Sequence, residues 1–433
     1  MRPARLRLAQ LGIASAAALL LSHVGLAAPS SSLPLHPLPG LDTSGMSSNG
    51  ISLGFLTQWG VDEPSDVIRA LGASPVAWGD YLNVGPSDSN PSFEQVDYHL
   101  GEVTRAATGD VKAVYIPAIL FSGKMNEWTQ DMSDALASKM RALNRRGITV
   151  WLRFCYEMNG GWMSYGLQPD DYVKTWRTVT DTIRAATNET YMLWAPNVWT
   201  GSSTDIQSYE PYWPGEEYVD LVGLSVYAFG PERSINRVPS SSFFRESFQS
   251  FYDLVAPSSA SIRDNPLRLG AAYQPIIAET SAPYYYHIPS NSRFWGQQGD
   301  TDITKPFPNL TRVEPSLADP PYDRSDDELA VKATWLAQLT GNSTAQRFPH
   351  LKLVNLFNYL KKGNASAEVF ADFRYVGSAT GGFNETVESW VRENFGNQTA
   401  YEQGYTGAAR GLRPGCAQVA AAVAAVVAAA VLL

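Results

Sequence analysis

The sequence predicts a single α/β domain folded as a (β/α)8 TIM barrel with extended loops after its strands. Eight short apolar or β-branched runs alternate with longer amphipathic segments, which is the pattern of a parallel α/β domain. No repeat or internal linker interrupts that alternation after Asn49. The chain has 433 residues. Removing the processed ends predicted below leaves about 360 residues, a common length for one barrel with loop insertions.

The predicted strands are spread along the whole domain. They cover residues 52–59, 75–78, 111–119, 148–156, 190–194, 221–227, 275–278 and 352–357. Helices are expected between them, for instance over 133–146, where apolar residues recur at helical spacing, and over 170–186. Eight strands with eight crossovers close most economically into a barrel. A long crossover over 280–325 opens with the run Tyr284-Tyr285-Tyr286 and is expected to form a wall of the cleft.

The N-terminus has the layout of a secretory signal peptide. Arg2, Arg5 and Arg7 precede an uncharged apolar stretch over 8–26, and small residues follow it. We therefore expect a signal peptide over 1–27. The Ser/Pro-rich stretch that follows has too little apolar periodicity to pack, so a flexible linker is expected over 28–49 and the folded domain over 50–404.

The C-terminus reads as a signal for attachment of a glycosylphosphatidylinositol (GPI) lipid anchor. Residues 417–433 are apolar except for Gln418, and no charged residue follows them. Small residues and a short spacer precede this tail, which is the order of a GPI signal, here assigned to 405–433. The alternative is a retained single-pass helix, although 17 residues rich in Ala and Val are at the short end for a membrane span. The sequence thus predicts a secreted protein held at the outer face of the plasma membrane or the cell wall.

Composition excludes several classes of function. The net charge of −9 makes the chain a poor ligand for nucleic acid or an anionic membrane surface. Of its two cysteines, Cys416 lies in the predicted anchor signal and Cys155 is expected to be a small buried strand residue. The five histidines show no metal-ligand spacing. No metal and no cofactor are therefore expected.

Six Asn-x-Ser/Thr sequons, together with the signal peptide, indicate a glycosylated eukaryotic secretory product. They are expected at the protein surface, chiefly in the C-terminal half. The sequons are at Asn188, Asn309, Asn342, Asn364, Asn384 and Asn397.

Two glutamates are the strongest candidates for chemistry. Glu157 follows the predicted strand four and Glu279 the predicted strand seven. Strand C-termini form the active-site face of such a barrel, so both carboxylates are expected in one cup. Paired carboxylates perform glycoside hydrolysis, and in retaining enzymes they stand roughly 5 to 5.5 Å apart. The alternative for each is a structural ion pair at the barrel rim, for which Arg153 is an obvious partner.

The segment 153–166, which contains Glu-Met-Asn-Gly-Gly-Trp, resembles the strand-four signature of family-26 glycoside hydrolases. That resemblance implies a retaining endo-β-glycanase, with Glu157 as the general acid/base and Glu279, in Pro-Ile-Ile-Ala-Glu, as the nucleophile. It also implies that Trp162 stacks on sugar and that Tyr227 hydrogen-bonds the nucleophile. The family usually has histidine before the acid/base, whereas Tyr156 stands here and cannot carry positive charge. The full set of substrate-binding candidates is Arg153, Tyr156, Asn159, Trp162, Asn197, Trp199 and Tyr227.

Three functions remain open at this point. The first is hydrolysis of a β-linked polysaccharide, such as β-mannan or mixed-linkage β-glucan, by a monomeric, GPI-anchored fungal enzyme. The second is a transglycosylase that remodels wall polymers with the same residues. The third is a non-catalytic carbohydrate-binding protein of the cell wall.

Overall fold

The computed structural model describes residues 35–396, apart from 60, 88–90, 92, 200, 202–205, 230–234, 257–271, 288–310, 315–324, 363–368 and 378–384. The predicted signal peptide and anchor signal lie outside these residues. Within them, no helix is long and apolar enough to cross a membrane. Of the sequons, Asn188 and Asn342 are described and both are exposed. Asn309, Asn364, Asn384 and Asn397 lie outside the described residues.

The core of the fold is a closed barrel of eight parallel strands. The strands are β1 Ile51–Thr57, β2 Ala77–Val84, β3 Val114–Phe121, β4 Val150–Phe154, β5 Thr190–Trp194, β6 Leu221–Ser225, β7 Ile276–Thr280 and β8 Leu353–Asn358. Each pairs with the next, and β8 pairs with β1 to close the ring. The predicted (β/α)8 fold is confirmed, with β2 running on to Val84 rather than ending at residue 78.

Helices fill most of the crossovers between the strands. They are α1 Pro64–Leu71, α2 Glu94–Thr108, α3 Gln130–Asn144, α4 Pro169–Ala186, α5 Phe243–Val255, α6 Glu328–Thr340, α7 Asn342–Arg347 and α8 Glu385–Val391. Helix α4 matches the expected 170–186 to within one residue. Helix α3 begins earlier than expected because the Thr129 side chain caps it, accepting a hydrogen bond from Met132 N at 3.2 Å.

A small antiparallel sheet lies beside the C-terminal ends of the strands. Its strands, in order, are Thr311–Arg312, Tyr284–His287, Val369–Asp372 and Leu360–Lys362. The tyrosine run therefore forms a strand and not the loop that the sequence predicted. Tyr285 packs with Phe357 and Phe373 on the barrel side, whereas the Tyr286 hydroxyl turns away and donates to Glu328 at 2.6 Å.

Residues 35–49 pack against the barrel, which corrects the expectation that they form a flexible linker. Leu38 and Leu41 contact apolar residues at the starts of the strands, and Met46 is fully buried. The Trp151 indole donates to Pro39 O at 2.8 Å. Burial of these few side chains, rather than any periodic pattern, holds the segment in place. The folded domain therefore includes residues that the sequence assigned to a linker.

Candidate active site

The turn after β4 places Glu157 at the C-terminal end of the barrel. Cys155 and Glu157 both have left-handed backbone, with φ of 42° and 52°. Non-glycine residues pay an energetic cost in that region, and such residues concentrate at functional sites. The Glu157 N–H donates to Ala195 O at 2.9 Å, and its carbonyl accepts from Gly160 N at 3.0 Å. The turn is therefore fixed by backbone hydrogen bonds on both sides of the glutamate.

Glu279, on β7, is held by a cation and a hydroxyl. Arg153 Nη1 donates to Oε2, and the Tyr227 hydroxyl donates to Oε1. Burial alone would raise the pKa of this carboxyl. The Arg153 charge and the hydrogen bonds from Tyr227 and Arg153 outweigh burial and hold the pKa of Glu279 below its ordinary value. Glu279 is therefore ionised at neutral pH.

The pKa of Glu157 is shifted in the opposite direction. Burial, and then the nearby negative charge of Glu279, raise its pKa above the ordinary value. Arg153 and hydrogen bonds from Ser225 and Asn197 oppose that rise. The Trp162 indole also donates to Glu157 Oε2, at 2.8 Å. The two carboxylates thus share one site, with displacements of pKa in opposite directions.

Arg153 is the centre of this site and not a residue open to substrate. Its side chain is 1% exposed, and Nη2 donates to Ser225 Oγ at 2.5 Å. The guanidinium carbon lies 4.1 Å from the centroid of the Tyr156 ring, a cation–π contact. We therefore correct its expected role from substrate binding to orientation of Glu279.

Four tyrosines surround the carboxylates. Burial is the main cause that raises the pKa of Tyr81, Tyr156, Tyr227 and Tyr359 well above the ordinary value, and the charge of Glu279 adds to it. These hydroxyls therefore stay protonated throughout the pH range of the carboxylates. The rings of Tyr81 and Tyr156 have centroids 5.6 Å apart. Tyr156 thus packs between Tyr81 and Arg153, at the position where the family-26 signature usually has histidine.

Asn159 supports the site through hydrogen bonds to neighbouring backbone and does not face a ligand. It is fully buried, and its Nδ2 donates to Asn197 O at 2.9 Å and to Gln207 O at 3.1 Å. Its Oδ1 accepts from Asn197 N at 2.8 Å. These bonds use both ends of the amide, so we correct its expected role from substrate contact to support of the strand-five loop. Asn197 itself is among the groups that lower the pKa of Glu157.

Two aromatic side chains of this region are open to solvent. Trp162, 48% exposed, lies on the side of Glu157, and Phe229, 46% exposed, lies on the side of Glu279. Phe229 stacks on Tyr227 with centroids 5.5 Å apart. Trp199 differs, because its ring packs edge-on against Tyr209 at 6.1 Å. Among the described residues, no hydrogen bond or ring contact joins Trp199 to either glutamate.

Sequence reasoning missed three members of the site. Ser225 and Tyr227 are two residues apart at the end of one strand and therefore share a face, a spacing that could have identified Ser225. Tyr81 was missed because β2 was predicted to end too early. Phe229 carried no signal beyond being aromatic. Among the described residues, no group of three or more His, Cys, Asp or Glu could hold a metal ion.

Comparison with known proteins agrees with this geometry. Residues 87–250, which include β4, Glu157 and β6, match the model of glycosyl hydrolase family 26. Over this region, the chain is similar to family 26. The match ends before β7, so the part that carries Glu279 lies beyond it.

Several known enzymes are similar to this chain over longer or shorter stretches. A mannan endo-1,4-beta-mannosidase of Bacillus subtilis is 28% identical over 158 residues, which are 33% of this chain and 39% of that protein. A beta-1,3-xylanase of Alcaligenes sp is 24% identical over 340 residues, 75% of this chain and 67% of that protein. A mannan endo-1,4-beta-mannosidase A and B of Caldalkalibacillus mannanilyticus is matched over 26% of its own length. The chain thus spans about a quarter to two fifths of the mannosidases it matches.

Among solved structures, the chain is similar to the Bacillus subtilis mannanase BCman. The two are 14% identical, the match covers 82% of this chain and 89% of that one, and the TM-score is 0.41. A Cellulomonas fimi endo-beta-1,4-mannanase has a TM-score of 0.42 at 14% identity, covering 76% of this chain and 67% of that one.

Proposed function

We propose that this chain is a retaining endo-β-glycosidase that hydrolyses a β-linked polysaccharide. The observation that carries the proposal is the pair of buried carboxylates in one barrel cup, one with a lowered pKa and the other with a raised pKa. A nucleophile must be ionised and a general acid must be protonated before reaction. Glu279 and Glu157 have these two states at the same pH.

The reaction follows as a double displacement. A Glu279 oxygen attacks the anomeric carbon while Glu157 transfers its proton to the departing glycosidic oxygen, which leaves a covalent glycosyl ester on Glu279. Glu157, now ionised, takes a proton from water as that water attacks the same carbon and releases Glu279. Tyr227 and Arg153 hold the nucleophile through one oxygen each. The exposed rings of Trp162 and Phe229 are suited to pack against sugar C–H faces.

The names of the similar enzymes support a substrate class. The mannosidases are named for mannan and the xylanase for a β-1,3-linked polymer. We propose a β-mannan, a mixed-linkage β-glucan or a related β-linked polysaccharide. The open flanks of the site at Trp162 and Phe229 suit a long chain, which favours cleavage within the polymer.

The decisive experiment is a polysaccharide panel with product sizing and stereochemistry. The wild type should release reducing ends from at least one of β-mannan, mixed-linkage glucan and xylan, and proton NMR should show β-configured product first. Glu279→Ala should lower that activity by at least about a thousandfold, and azide should restore part of it as an α-glycosyl azide. Glu210→Ala, an exposed glutamate in a short turn, should behave as wild type. Undiminished activity in Glu279→Ala would contradict the assignment.

Product sizing also separates the second candidate function. A transglycosylase on the same site would form chains longer than the substrate, whereas hydrolysis gives shorter chains only. Binding without turnover, unchanged in Glu157→Gln, would indicate a non-catalytic wall protein. Neither candidate is favoured by a contact in the site.

We also propose that the enzyme is secreted, N-glycosylated and GPI-anchored, on the strength of its two terminal signals and its sequons. The exposed positions of Asn188 and Asn342 support glycosylation there. Release of the expressed protein from cells by phosphatidylinositol-specific phospholipase C would test the anchor, and retention after treatment would favour the single-pass helix.

A further inference from the structure

The small sheet turns one of its faces toward the candidate active site. Lys361 lies opposite Ala371 in one pair of strands, and Ala371 lies opposite Tyr285 in the next. Residues directly opposite one another in antiparallel strands project from the same face of the sheet. Ala371 and Tyr285 pack with Phe357 and Phe373, so this face is the one next to the barrel. The register therefore places Lys361 on the barrel side as well.

A contact of the Lys361 ammonium agrees with this placement. Its Nζ lies 4.6 Å from the centroid of the Phe357 ring, a cation–π contact. The Phe357 ring also packs edge-on against Tyr227, with centroids 5.9 Å apart, and the Tyr227 hydroxyl donates to Glu279. One aromatic ring thus separates the ammonium from the tyrosine that holds the proposed nucleophile.

Lys361 is available to a ligand in a way that Arg153 is not. Arg153 is 1% exposed, and its guanidinium already donates to Glu279 and Ser225. Lys361 is exposed, and no ion pair within the described part of the chain includes it. An ammonium has three donors and no acceptor, and its strong hydrogen bonds are those to anionic oxygens. The Phe357 ring occupies only one side of the ammonium, so its other N–H groups can still donate.

We propose that Lys361 is a specificity-determining residue that binds an anionic group, a carboxylate or a sulfate, on the sugar lying at the Glu279 side of the cleft. This inference rests on the proposed function, because it narrows the substrate class of the same site. An anionic group near the ionised Glu279 would be repelled, and a neighbouring cation offsets that repulsion.

The charge of the whole chain limits how acidic the substrate can be. The net charge of −9 repels a polymer that carries an anion on every sugar. A single accessible lysine suits one anionic group at a time. The favoured substrate is therefore a β-linked polysaccharide in which acidic sugars are scattered among neutral ones.

The test compares polysaccharides that differ only in charge. β-Mannan and mixed-linkage β-glucan are each used as the neutral parent, as a form lightly oxidised at C6 to carboxylate, and as a lightly sulfated form. Affinity electrophoresis of the full chain carrying Glu157→Gln, which should bind without cleaving, gives the dissociation constants. At low salt, an acidic form should bind about threefold to fivefold more tightly than its parent, the range of an exposed ion pair. The arm with the larger preference distinguishes carboxylate from sulfate.

Three further variants assign the preference to one side chain. Lys361→Met keeps an apolar stem on Phe357 but removes the charge, and should abolish the preference. Lys361→Arg keeps a cation and should restore it. Lys174→Met is the matched control, because Lys174 is an exposed lysine on α4, and it should keep the full preference. Since salt screens exposed charges, the preference should also disappear in about 1 M NaCl.

Equal binding of the neutral and acidic forms at low salt overturns the proposal, and so does a preference that survives in Lys361→Met. Absence of binding to all of these polymers overturns it too. Cleavage is measured separately, on the chain that retains Glu157. Cleavage of a neutral polymer without any preference for its acidic forms would contradict only the role of Lys361. A preference that depends on Lys361, with no polymer cleaved, would support the anion site and contradict only the glycosidase.

Discussion

Two carboxylates and one arginine determine the chemistry of this site at the scale of single residues. Arg153 donates directly to Glu279, whereas its effect on Glu157 is that of a nearby charge. It therefore stabilises the ionised form of one carboxyl more than that of the other. Two glutamates of identical chemistry acquire different protonation because only one of them touches the cation.

The first prediction concerns the pH dependence of catalysis. Activity should be lost at low pH as Glu279 becomes protonated, and at high pH as Glu157 loses its proton. Since the pKa of Glu279 is lowered and that of Glu157 is raised, the profile of kcat/KM should be a bell broader than two ordinary glutamates would give. The measurement is kcat/KM of the wild type from pH 3 to 9.

An aryl glycoside with a good leaving group provides the control for that profile, because its first step needs no proton from Glu157. The high-pH limb of kcat/KM should then disappear while the low-pH limb stays. A low-pH limb that depended on the leaving group would show that the roles of the two glutamates are reversed.

The second prediction concerns Phe229, which sequence reasoning did not single out. Phe229→Ala should raise KM for the polysaccharide about tenfold, equivalent to about 1.4 kcal/mol, because a stacking surface beside Glu279 is lost. The kcat should change less, since neither carboxylate touches this ring. Tyr98→Ala is the matched control, because Tyr98 is an aromatic residue 79% exposed on α2. Equal KM values for Phe229→Ala and the wild type would exclude Phe229 from the binding surface.

At the scale of elements, the small sheet is joined to the barrel helices by a buried ionic cluster. Lys332 on α6 is fully buried, contacts Glu328 at 2.9 Å and Asp372 at 3.8 Å, and donates to Arg374 O at 2.5 Å. Asp372 ends a strand of the small sheet and also binds Arg374. The cluster therefore fixes the sheet, and with it Phe373 and Tyr285, beside the candidate active site.

The third prediction tests that role. Lys332→Ala should lower the free energy of unfolding by about 3 to 5 kcal/mol, because it removes a buried cation that contacts two buried carboxylates. Lys139→Ala removes a pair with Asp97 at 2.8 Å, in which the Asp97 side chain is 56% exposed, and should cost at most about 1 kcal/mol. Urea denaturation followed by circular dichroism measures both. Equal losses in the two variants would refute a structural role for the cluster.

Helices and strands that are determined by local sequence could be predicted, whereas those that depend on distant contacts could not. Strand β4 and helix α4 were predicted because local apolar runs and helical periodicity determine them. The small sheet was not predicted, because Tyr284–His287 pairs with Val369–Asp372, a contact between residues far apart in the chain. The same reason explains why the role of Asn159 was not predicted, since its sequence signature indicated a ligand contact. Its actual partners, on the loops after β5, become neighbours only in the folded barrel.

At the scale of the whole molecule, the packing of residues 35–49 marks where the domain begins. Ser/Pro-rich composition with little periodicity indicated a linker. The segment is held instead by the buried Met46, by the half-buried Leu38 and Leu41, and by several hydrogen bonds to the barrel, including the one from the Trp151 indole. Periodicity cannot detect such contacts, because they require the barrel to exist first.

The fourth prediction therefore compares chains that begin at residues 28, 35 and 50. The first two should have the same thermal unfolding midpoint, because both keep Leu38, Leu41 and Met46. The chain that begins at 50 should lose several kcal/mol of stability, since full burial of a side chain such as Met46 contributes about 1.5 to 3 kcal/mol and the half-buried Leu38 and Leu41 add to it. A domain is commonly stable by only about 5 to 15 kcal/mol, so this truncation should lower the midpoint by many degrees or prevent folding. Met46→Ala in the chain from 28 should reproduce part of the loss, and an unchanged midpoint for the chain from 50 would restore the linker assignment.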